Sequence, residues 1–364
     1  MKQASMHAAP PAATSLAEGP ICPTPAGQHD RVQLGHGSGG KMSAALLRER
    51  FLPFFHNEAL AALGDAAVVR LNGGEVAMST DTFVVSPLEF PGGDIGLLAV
   101  HGTLNDVAMM GAAPQYLSAG FILEEGLPFD VLDRVVRSMA EAARATGVQL
   151  VTGDTKVVDR GKADGMFINT TGIGVVDPEF RPRPERSVPG DAVIVSGPVG
   201  CHGIAVMSAR EGLEFEVEVE SDTASLYPLV RELRLEIGPA HVHALRDPTR
   251  GGMASALNEI AAAAGAGIEL DESAVPVPEP VQAACEMLGL DPLYVANEGI
   301  LVAFVEDSAA ERTLEVMRAH SLGEGAERIG TVVGAHPGMV VQRTGLGSTR
   351  IVDMLPGDQL PRIC

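Results

Sequence analysis

The segment 178–189 contains four prolines and charges of both signs, and it constrains the fold more than any other stretch. Proline has no backbone N–H to donate and disfavours helical backbone at the residue before it, so neither a helix nor a central strand can run through this segment. A chain of 364 residues also exceeds what one hydrophobic core usually organises. We therefore predict two domains, residues 31–177 and residues 178–345, with an extension at residues 1–30 and a mobile tail at residues 346–364.

Both predicted domains mix short β-type runs with amphipathic helices. In the first, Ala66–Leu71 and Glu75–Thr80 flank the turn residues Asn72–Gly74, which is typical of a β-hairpin. Met42–Phe55 and Phe129–Thr146 carry apolar residues at helical spacing. The second domain continues the alternation of helices and short apolar strands. The pattern predicts a mixed α/β (α+β) fold.

The composition argues against several classes of function. A formal net charge of −21 repels nucleic acid and anionic membrane surfaces. No run of about 18 apolar residues occurs, so no membrane span is predicted, and residues 1–30 lack the apolar core of a secretory signal. The cysteines at positions 22, 201, 285 and 364 show no CxxC spacing, which is typical of reduced thiols. We expect a cytoplasmic protein with a disordered extension at residues 1–30.

The tail reads Leu-Pro-Gly-Asp-Gln-Leu-Pro-Arg-Ile-Cys from Leu355 to Cys364. Pro356 and Pro361 favour extended backbone before them, so we predict an arm that ends in a thiol. A terminal cysteine on such an arm can move between sites. The alternative is a frayed end whose cysteine has no role.

A glycine-rich loop, Gly35–Lys41, precedes the helix predicted from Met42. Glycines let backbone N–H groups approach phosphate oxygens, and a helix N-terminus adds partial positive charge. The loop nearly matches a P-loop, but Met42 stands where that motif has the Ser or Thr that holds magnesium. Phosphate binding outside a P-loop fold is therefore predicted, with a flexible turn as the alternative.

Carboxylates recur at the ends of predicted elements. Asp65 precedes the first strand of the hairpin and Asp81 ends the second, so they converge at one edge if the strands are antiparallel. Asp106 lies in an otherwise apolar helix, where it is either a ligand or part of a solvated turn. Strand alternation places Asp154 and Lys156 on one side, as a site or as a solvated pair.

Two segments of the second domain also carry charges next to elements. Arg246–Gly252 brings two arginines and an aspartate to the start of a helix, and Ala296–Gly299 brings Glu298 to the start of an apolar strand. Each is as compatible with a structural cap as with a site.

Taken together, these motifs resemble the HypE family of hydrogenase maturation proteins, within the superfamily typified by aminoimidazole ribonucleotide synthetase. The resemblance covers residues 31–364. Its motifs are His36–Lys41, Ser79–Thr82, Pro91–Gly96, Asn105–Asp106, Gly120–Leu127, Thr152–Lys156, Arg246–Gly252, Ala296–Gly299 and Pro361–Cys364. The terminal Pro-Arg-Ile-Cys separates this family from its relatives.

The resemblance implies a two-domain chain that forms a homodimer, with the N-terminal halves building a β-barrel across the two-fold axis. It implies ATP bound near the dimer interface, under the glycine-rich loop, together with Mg²⁺. By position, the implied ATP-binding residues are Gly37, Ser38, Gly39, Gly40, Lys41 and Asn105. The implied metal ligands or their neighbours are Asp65, Asp81, Asp106 and Asp154. Lys156 and Glu298 would handle the reacting group, and Cys364 would be its acceptor.

The resemblance also implies a reaction and its partners. The partner HypF carbamoylates the terminal thiol, ATP activates the carboxamide oxygen by phosphorylation, and loss of phosphate leaves a thiocyanate on Cys364. Glu298 is the candidate base, and Lys156 the polarising cation. The cyanide then passes to the HypC–HypD complex, for the iron of a [NiFe]-hydrogenase.

Two other functions are compatible with the sequence. One is an ATP-dependent small-molecule synthetase or kinase of the same superfamily, in which Cys364 has no role. The other is a scaffold that binds ATP only for its shape. Removal of the last four residues would distinguish the small-molecule enzyme from the family reaction, because a small-molecule enzyme would keep its activity without them.

Overall fold

A computed structural model describes residues 32–37, 39–55, 57–61, 63–71, 73–212, 218–355, 357 and 362–364. Gln33–Cys364 form one compact unit, and the predicted boundaries at 177 and 345 stay a prediction. Residues 1–30, Ser38 and most of the segment 356–361 lie outside the described residues, so the predictions of a disordered extension and an extended arm are not examined there. None of the helices in the described ranges has the length and apolar character of a membrane span.

The first half of the chain forms a five-stranded sheet in the order β1-β2-β7-β5-β6, covered on one face by helices. Its strands are β1 Ala67–Leu71, β2 Gly74–Phe83, β5 Ala112–Glu124, β6 Gln149–Val158 and β7 Met166–Val176, with β3 Glu89–Phe90 and β4 Gly93–Asp94 paired separately. Its helices are α1 Lys41–Leu46, α2 Leu52–Phe55, α3 Glu58–Ala61, α4 Ile95–Met109 and α5 Phe129–Thr146, and a π-helical turn, Leu47–Phe51, joins α1 to α2.

The second half forms a seven-stranded sheet in the order β14-β13-β10-β12-β8-β11-β9. Its strands are β8 Ala192–Val195, β9 Val242–Arg246, β10 Gly267–Asp271, β11 Val302–Val305, β12 Glu327–Val333, β13 Val340–Arg343 and β14 Thr349–Val352. Its helices are α6 Cys201–Glu211, α7 Tyr227–Glu236, α8 Gly252–Ala264, α9 Glu279–Leu288 and α10 Ala310–Ala319. Short 3-10 helices lie at Leu34–Gly37, Pro184–Arg186, Glu272–Ala274, Pro292–Tyr294 and Asp307–Ala309.

Local signals account for α4, which runs through the centre of the molecule. Asp94 caps it by accepting hydrogen bonds from the N–H groups of Gly96 and Leu97, at 2.7 and 2.9 Å. Gly111, at φ 72°, follows its end, in the left-handed backbone that glycine adopts without strain. Ala108 and Met109 at its end pack into the core of the second sheet. The helix therefore contacts both sheets and fixes the elements that carry the site.

Strand alternation gives the first sheet two different faces. Odd-numbered residues of β2, including Ser79 and Phe83, are buried toward α4. On the opposite face, Met78, Ile173 and Tyr116 form a cross-strand row and are 46%, 38% and 46% exposed. The predicted barrel needs a second subunit, and within the described residues the sheet is open at both edges.

The sequence predicted a tail from residue 346, but the sheet continues further. Thr349–Val352 pairs antiparallel with Val340–Arg343 as β14. The turn between them closes where the N–H of Thr344 donates to the carbonyl of Ser348, at 2.8 Å. The alternating pattern after Gly347 was a strand signal that the sequence analysis did not use.

Candidate active site

Three carboxylates from separate segments converge beside α4. Asp65 precedes β1, Asp106 lies in the last turn of α4, and Asp247 directly follows β9. One carboxylate oxygen from each lies within 4.8 Å of the other two. Because Asp247 belongs to the second half of the chain, this group forms only where the two halves meet.

Burial raises the pKa of all three carboxyl groups, those of Asp65 and Asp106 well above the usual range and that of Asp247 to about 6. Arg246 is ion-paired with Asp65 and acts in the opposite direction on its pKa. Among the described residues, the Oδ2 atom of Asp247 has no hydrogen-bond partner, although it is buried. A divalent cation would satisfy this oxygen and offset the repulsion, and oxygen ligands of this kind suit a hard cation.

Asp81 lies beside this group on the buried face of β2. It is inside the strand, although the sequence analysis placed it at the end. The hydroxyl of Thr103 on α4 donates to Asp81 at 3.4 Å, and that of Ser79 donates to Asp106 at 2.6 Å. The two hydroxyls tie the carboxylates of strand and helix together.

The terminal thiol lies next to the carboxylates, in the site of its own chain. Cys364 is 8% exposed and lines a cavity of about 40 Å³, which holds roughly two or three waters and thus a group the size of a carboxamide. The other lining residues are Asp81, Thr82, Phe83, Gly102, Asp106, Thr249, Arg250 and Glu298.

Glu298 and Arg250 are the charged groups that act most directly on the thiol. Burial first, and then the carboxyl of Glu298, raise the pKa of Cys364 far above its usual range, while Arg250 acts in the opposite direction. Burial also raises the pKa of Glu298 well above the usual range. The docked thiol is therefore protonated at neutral pH, and a thiol is a weak nucleophile compared with a thiolate.

The glycine-rich loop packs against Arg250. Gly39 has φ 76°, and a Cβ there would lie 2.8 Å from the carbonyl oxygen of Arg250, so only glycine fits. The N–H of Gly39 donates to the hydroxyl of Ser43 at 2.9 Å, which in turn donates to the carbonyl of His36 at 2.9 Å. The loop thus lies on the segment that supplies Asp247 and Arg250.

Comparison with known proteins identifies the family. The AIR synthase related protein N-terminal domain family matches residues 63–176, and the corresponding C-terminal domain family matches residues 188–342. Carbamoyl dehydratase HypE of Azotobacter vinelandii is 54% identical over 333 residues, which cover 92% of this chain and 97% of that protein. The chain belongs to the HypE family.

Solved HypE structures share the fold of this chain. A crystal structure of a HypE–HypF complex superposes with a TM-score of 0.81 at 48% identity, covering 85% of this chain and 100% of that chain. A HypE structure in complex with ATP superposes with a TM-score of 0.77 at 53% identity, covering 90% and 98%. The predicted α/β two-domain fold of the superfamily is confirmed.

The fold of this chain brings together five of the predicted metal-binding and catalytic residues, namely Asp65, Asp81, Asp106, Glu298 and Cys364. Two others lie elsewhere. Asp154 and Lys156 form an exposed ion pair on β6 at 2.5 Å, with side chains 71% and 69% exposed.

The register explains this separation. Asp154 pairs with Gly120 and Lys156 with Ile122 in the parallel ladder between β6 and β5. Even-numbered positions of β5 face away from α4, whereas Leu117 and Ala119 are buried toward it. Asp154 and Lys156 did share one side, as predicted, but it is the open face of the sheet.

The predicted ATP-binding residues have these positions. Gly37, Gly39 and Gly40 form the loop beside Arg250, and Ser38 lies outside the described residues. Lys41 is ion-paired with Asp353. Asn105 is 1% exposed, and its amide donates to the carbonyl of Ala224 at 2.9 Å and accepts from the N–H of Leu226 at 2.8 Å.

Sequence reasoning missed the functional position of two residues, Asp247 and Arg250. Both lie in Arg246–Gly252, which the sequence analysis treated equally as a cap and a site. The available signal was a charged residue at the carboxyl end of a buried strand, immediately before a helix that starts at glycine.

The free energy of unfolding of Asp247→Asn, measured relative to the wild type, is expected to rise by about 2 to 3 kcal/mol as the pH increases from about 4 to about 6 in the presence of a chelator. The pKa of Asp247 is raised in the folded state, so ionisation destabilises the native protein over this interval, and the neutral amide does not ionise. Urea unfolding at a series of pH values measures the difference.

Asp271→Asn is the matched control. Hydrogen bonding from Ser273 lowers the pKa of this exposed carboxyl, so its contribution to stability changes only below about pH 4, and the stability difference should stay nearly constant from pH 4 to pH 6. A stability difference between Asp247→Asn and the wild type that does not vary with pH would contradict the prediction.

Proposed function

We propose that the protein is an ATP-dependent carbamoyl dehydratase that converts a carboxamide on its own Cys364 into a thiocyanate, for the cyanide ligands of a [NiFe]-hydrogenase. The observation that carries the proposal is the enclosure of the terminal thiol among Glu298, Arg250 and Asp81. A small-molecule synthetase or kinase has no use for this placement. The relatives named HypE and the family's terminal motif support the same activity.

The reaction balances as Cys–S–C(O)NH₂ plus ATP to Cys–S–C≡N plus ADP and phosphate. An amide oxygen is a poor leaving group and phosphate a good one, so phosphorylation makes the C–O bond breakable. Two protons leave the amide nitrogen. Glu298 accepts one of them, since the burial that raises its pKa makes its carboxylate a stronger base, and the departing phosphate takes up the other.

Arg250 takes the role of the cation that faces the reacting group. Although the residue as a whole is exposed, it lines the cavity together with Cys364, Asp81 and Glu298. A fixed cation of this kind stabilises negative charge that develops on the carboxamide oxygen and the transferred phosphoryl group. Lys156, predicted for this role, would reach a site only from a second subunit, because it lies on the open face of the sheet.

Asp65, Asp106 and Asp247 would hold Mg²⁺. The donor set fits: three carboxylates meet, and within the part of the chain that the structure describes one oxygen of Asp247 lacks a hydrogen-bond partner. Bound magnesium would neutralise the charge of a triphosphate on this acidic protein. Asp81 and the two hydroxyls of Ser79 and Thr103 keep the carboxylates oriented.

Mg²⁺ is expected to raise the melting temperature of the wild type at pH 7.5 and to do so much less at pH 5, because binding requires the buried carboxylates to be ionised. Asp247→Asn should lose most of the shift at pH 7.5. Asp154→Asn serves as the matched control for carboxylate removal on the exposed strand. An equal shift in wild type and Asp247→Asn would place the ion elsewhere.

The homodimer would form through the open face and the free edge of the first sheet. β6 is an edge strand whose side chains are exposed on both faces, including Val151 at 57% and Val157 at 68%. An apolar edge of this kind is a template for pairing with another chain. Joining two such sheets across a two-fold axis would build the predicted barrel and bring Asp154 and Lys156 to the interface.

Val157→Asp is expected to convert the dimer into a monomer in sedimentation experiments, because the charge would be buried where the partner subunit pairs with the edge strand β6. Met287→Asp, on the equally exposed surface of α9, should leave the dimer intact. A dimer that survives Val157→Asp would remove this edge from the interface.

HypF would be the carbamoyl donor, and the HypC–HypD complex would accept the cyanide. The HypE–HypF complex among the related structures supports the first partner. The docked thiol is buried and protonated, so it would be carbamoylated away from this site.

Incubation with HypF, carbamoyl phosphate and MgATP is expected to add the mass of a carbamoyl group to the C-terminal peptide, and then to remove the mass of one water. Cys364→Ser should show neither change, whereas Glu298→Gln should accept the carbamoyl group and lose water from it at least about 100-fold more slowly. Peptide mass spectrometry measures both steps.

Cys201→Ser is the matched control, because Cys201 is a partly exposed thiol outside the cavity. Modification of Cys201 or Cys285, or a normal product in Cys364→Ser, would favour the small-molecule enzyme instead.

A further inference from the structure

The last three residues are held by backbone hydrogen bonds beside the segment that follows β2. The N–H of Val84 donates to the terminal oxygen of Cys364 at 3.2 Å, and the N–H of Ser86 donates to the carbonyl of Arg362 at 3.3 Å. Alternate residues are paired, as when a strand is added to a sheet edge. These contacts leave the carbonyl of Ile363 on the other side of the tail.

That carbonyl is bound by His202, in the first turn of α6. The Nε2 atom of His202 lies 2.9 Å from the oxygen of Ile363, and Nδ1 lies 2.8 Å from the hydroxyl of Ser221. A carbonyl only accepts, so Nε2 carries the proton and Nδ1 accepts from Ser221. The imidazole is fully buried, and burial lowers its pKa to about 4, which keeps the ring neutral.

The hydroxyl of Ser221 is itself held in one direction. Its proton goes to His202, so the hydroxyl of Thr223, at 2.6 Å, must donate to it, and the N–H of Thr223 donates to it at 3.2 Å. The chain of donors therefore runs from Thr223 through Ser221 and His202 to Ile363. Each link fixes the orientation of the next.

The residue between these two hydroxyls holds the proposed base. The carboxylate of Asp222 accepts the N–H groups of Glu298 and Gly299, at 3.1 and 2.9 Å, and also the N–H of His202. A Cβ on Gly299 would lie 1.6 Å from the carbonyl oxygen of Asp222, so the two backbones pack directly against each other and leave no room for a side chain at Gly299. One loop, Ser221–Thr223, thus positions both Glu298 and the backbone of the tail.

We propose that His202, oriented by Ser221 and Thr223, is a positioning residue that holds the tail with Cys364 facing Glu298 and determines how often the tail leaves. This rests on the proposed function, in which the thiol must leave to meet its partners. While the tail is docked, Cys364 is too buried for a partner enzyme to reach. We call these three residues and their bond to Ile363 the tail latch.

A competing account is that the tail is held by side-chain packing. Ile363 is 3% exposed and belongs to the core of the first half, and Arg210 donates to the carbonyls of Ser86 and Arg362. If these contacts alone hold the tail, removal of the His202 hydrogen bonds has no effect on the accessibility of Cys364.

The test is the rate at which iodoacetamide alkylates each cysteine of the full-length protein, without ATP or partner proteins, followed by peptide mass spectrometry. Cys285 is the internal reference, because it is fully buried in α9 and reports general opening of the structure. In His202→Phe, which keeps a ring of similar size beside Phe90, the ratio of the Cys364 rate to the Cys285 rate should rise about tenfold. His202→Gln, which retains a donor, should restore most of the protection.

His241→Phe is the matched control. This histidine is 43% exposed and pairs with Glu306, away from the tail, so the ratio should stay at the wild-type value. Ser221→Ala is the milder variant, which removes only the group that orients the imidazole. It should raise the ratio about threefold, and it decides the matter if His202→Phe does not fold.

An unchanged ratio in His202→Phe, or in Ser221→Ala where that variant decides, would overturn the tail latch, as would equal increases for Cys364 and Cys285. The alkylation ratio is measured without ATP or partner proteins, so it does not depend on whether the protein forms thiocyanate. A raised ratio in a protein that never forms thiocyanate would support the latch and reject the dehydratase.

Discussion

The carboxylates of Asp65, Asp106 and Asp247 are held in a group that their own charges oppose. Like charges within 4.8 Å of one another repel strongly where water is excluded, and each carboxylate also loses its hydration. Arg246, ion-paired with Asp65 and Glu259, offsets part of this cost. The rest is carried by packing and hydrogen bonds outside the group, so the surrounding fold holds the site in place.

Much of that support comes from polar side chains that hydrogen-bond to the backbone of other segments, and one of them, Asn105, was predicted to bind ATP. Asn105 joins α4 to the segment before α7, and Asp222 joins the backbone at Glu298 to the start of α6. Each buried group is satisfied by backbone partners, and loss of either would leave those partners unpaired.

The sequence predicted local structure well, because periodicity and capping are local signals. Phe129–Thr146 has the predicted bounds, and Ala67–Leu71 pairs with Gly74–Phe83 as the predicted hairpin. The sequence did not predict which face of the first sheet packs against the loops that carry the site. Strand alternation correctly placed Asp154 and Lys156 on one face of the sheet. Only the register with β5 shows that this is the open face, whereas Asp81 lies on the face that packs against α4.

For the same reason Asp247 was missed, because its neighbours Asp65 and Asp106 are far away in the chain. The tail was predicted as an arm that can move between sites, and the structure shows Arg362–Cys364 docked in one of them. No local pattern in the tail could have indicated His202 as its partner.

The raised pKa values of the buried carboxyls have a further consequence for the thermodynamics of ligand binding. At any pH where these carboxyls hold protons, a bound cation must displace them, so binding is an exchange of one positive species for another. The released protons are taken up by the buffer. The apparent enthalpy of binding therefore includes the buffer's heat of ionisation, and the intrinsic enthalpy is obtained only by extrapolation across several buffers.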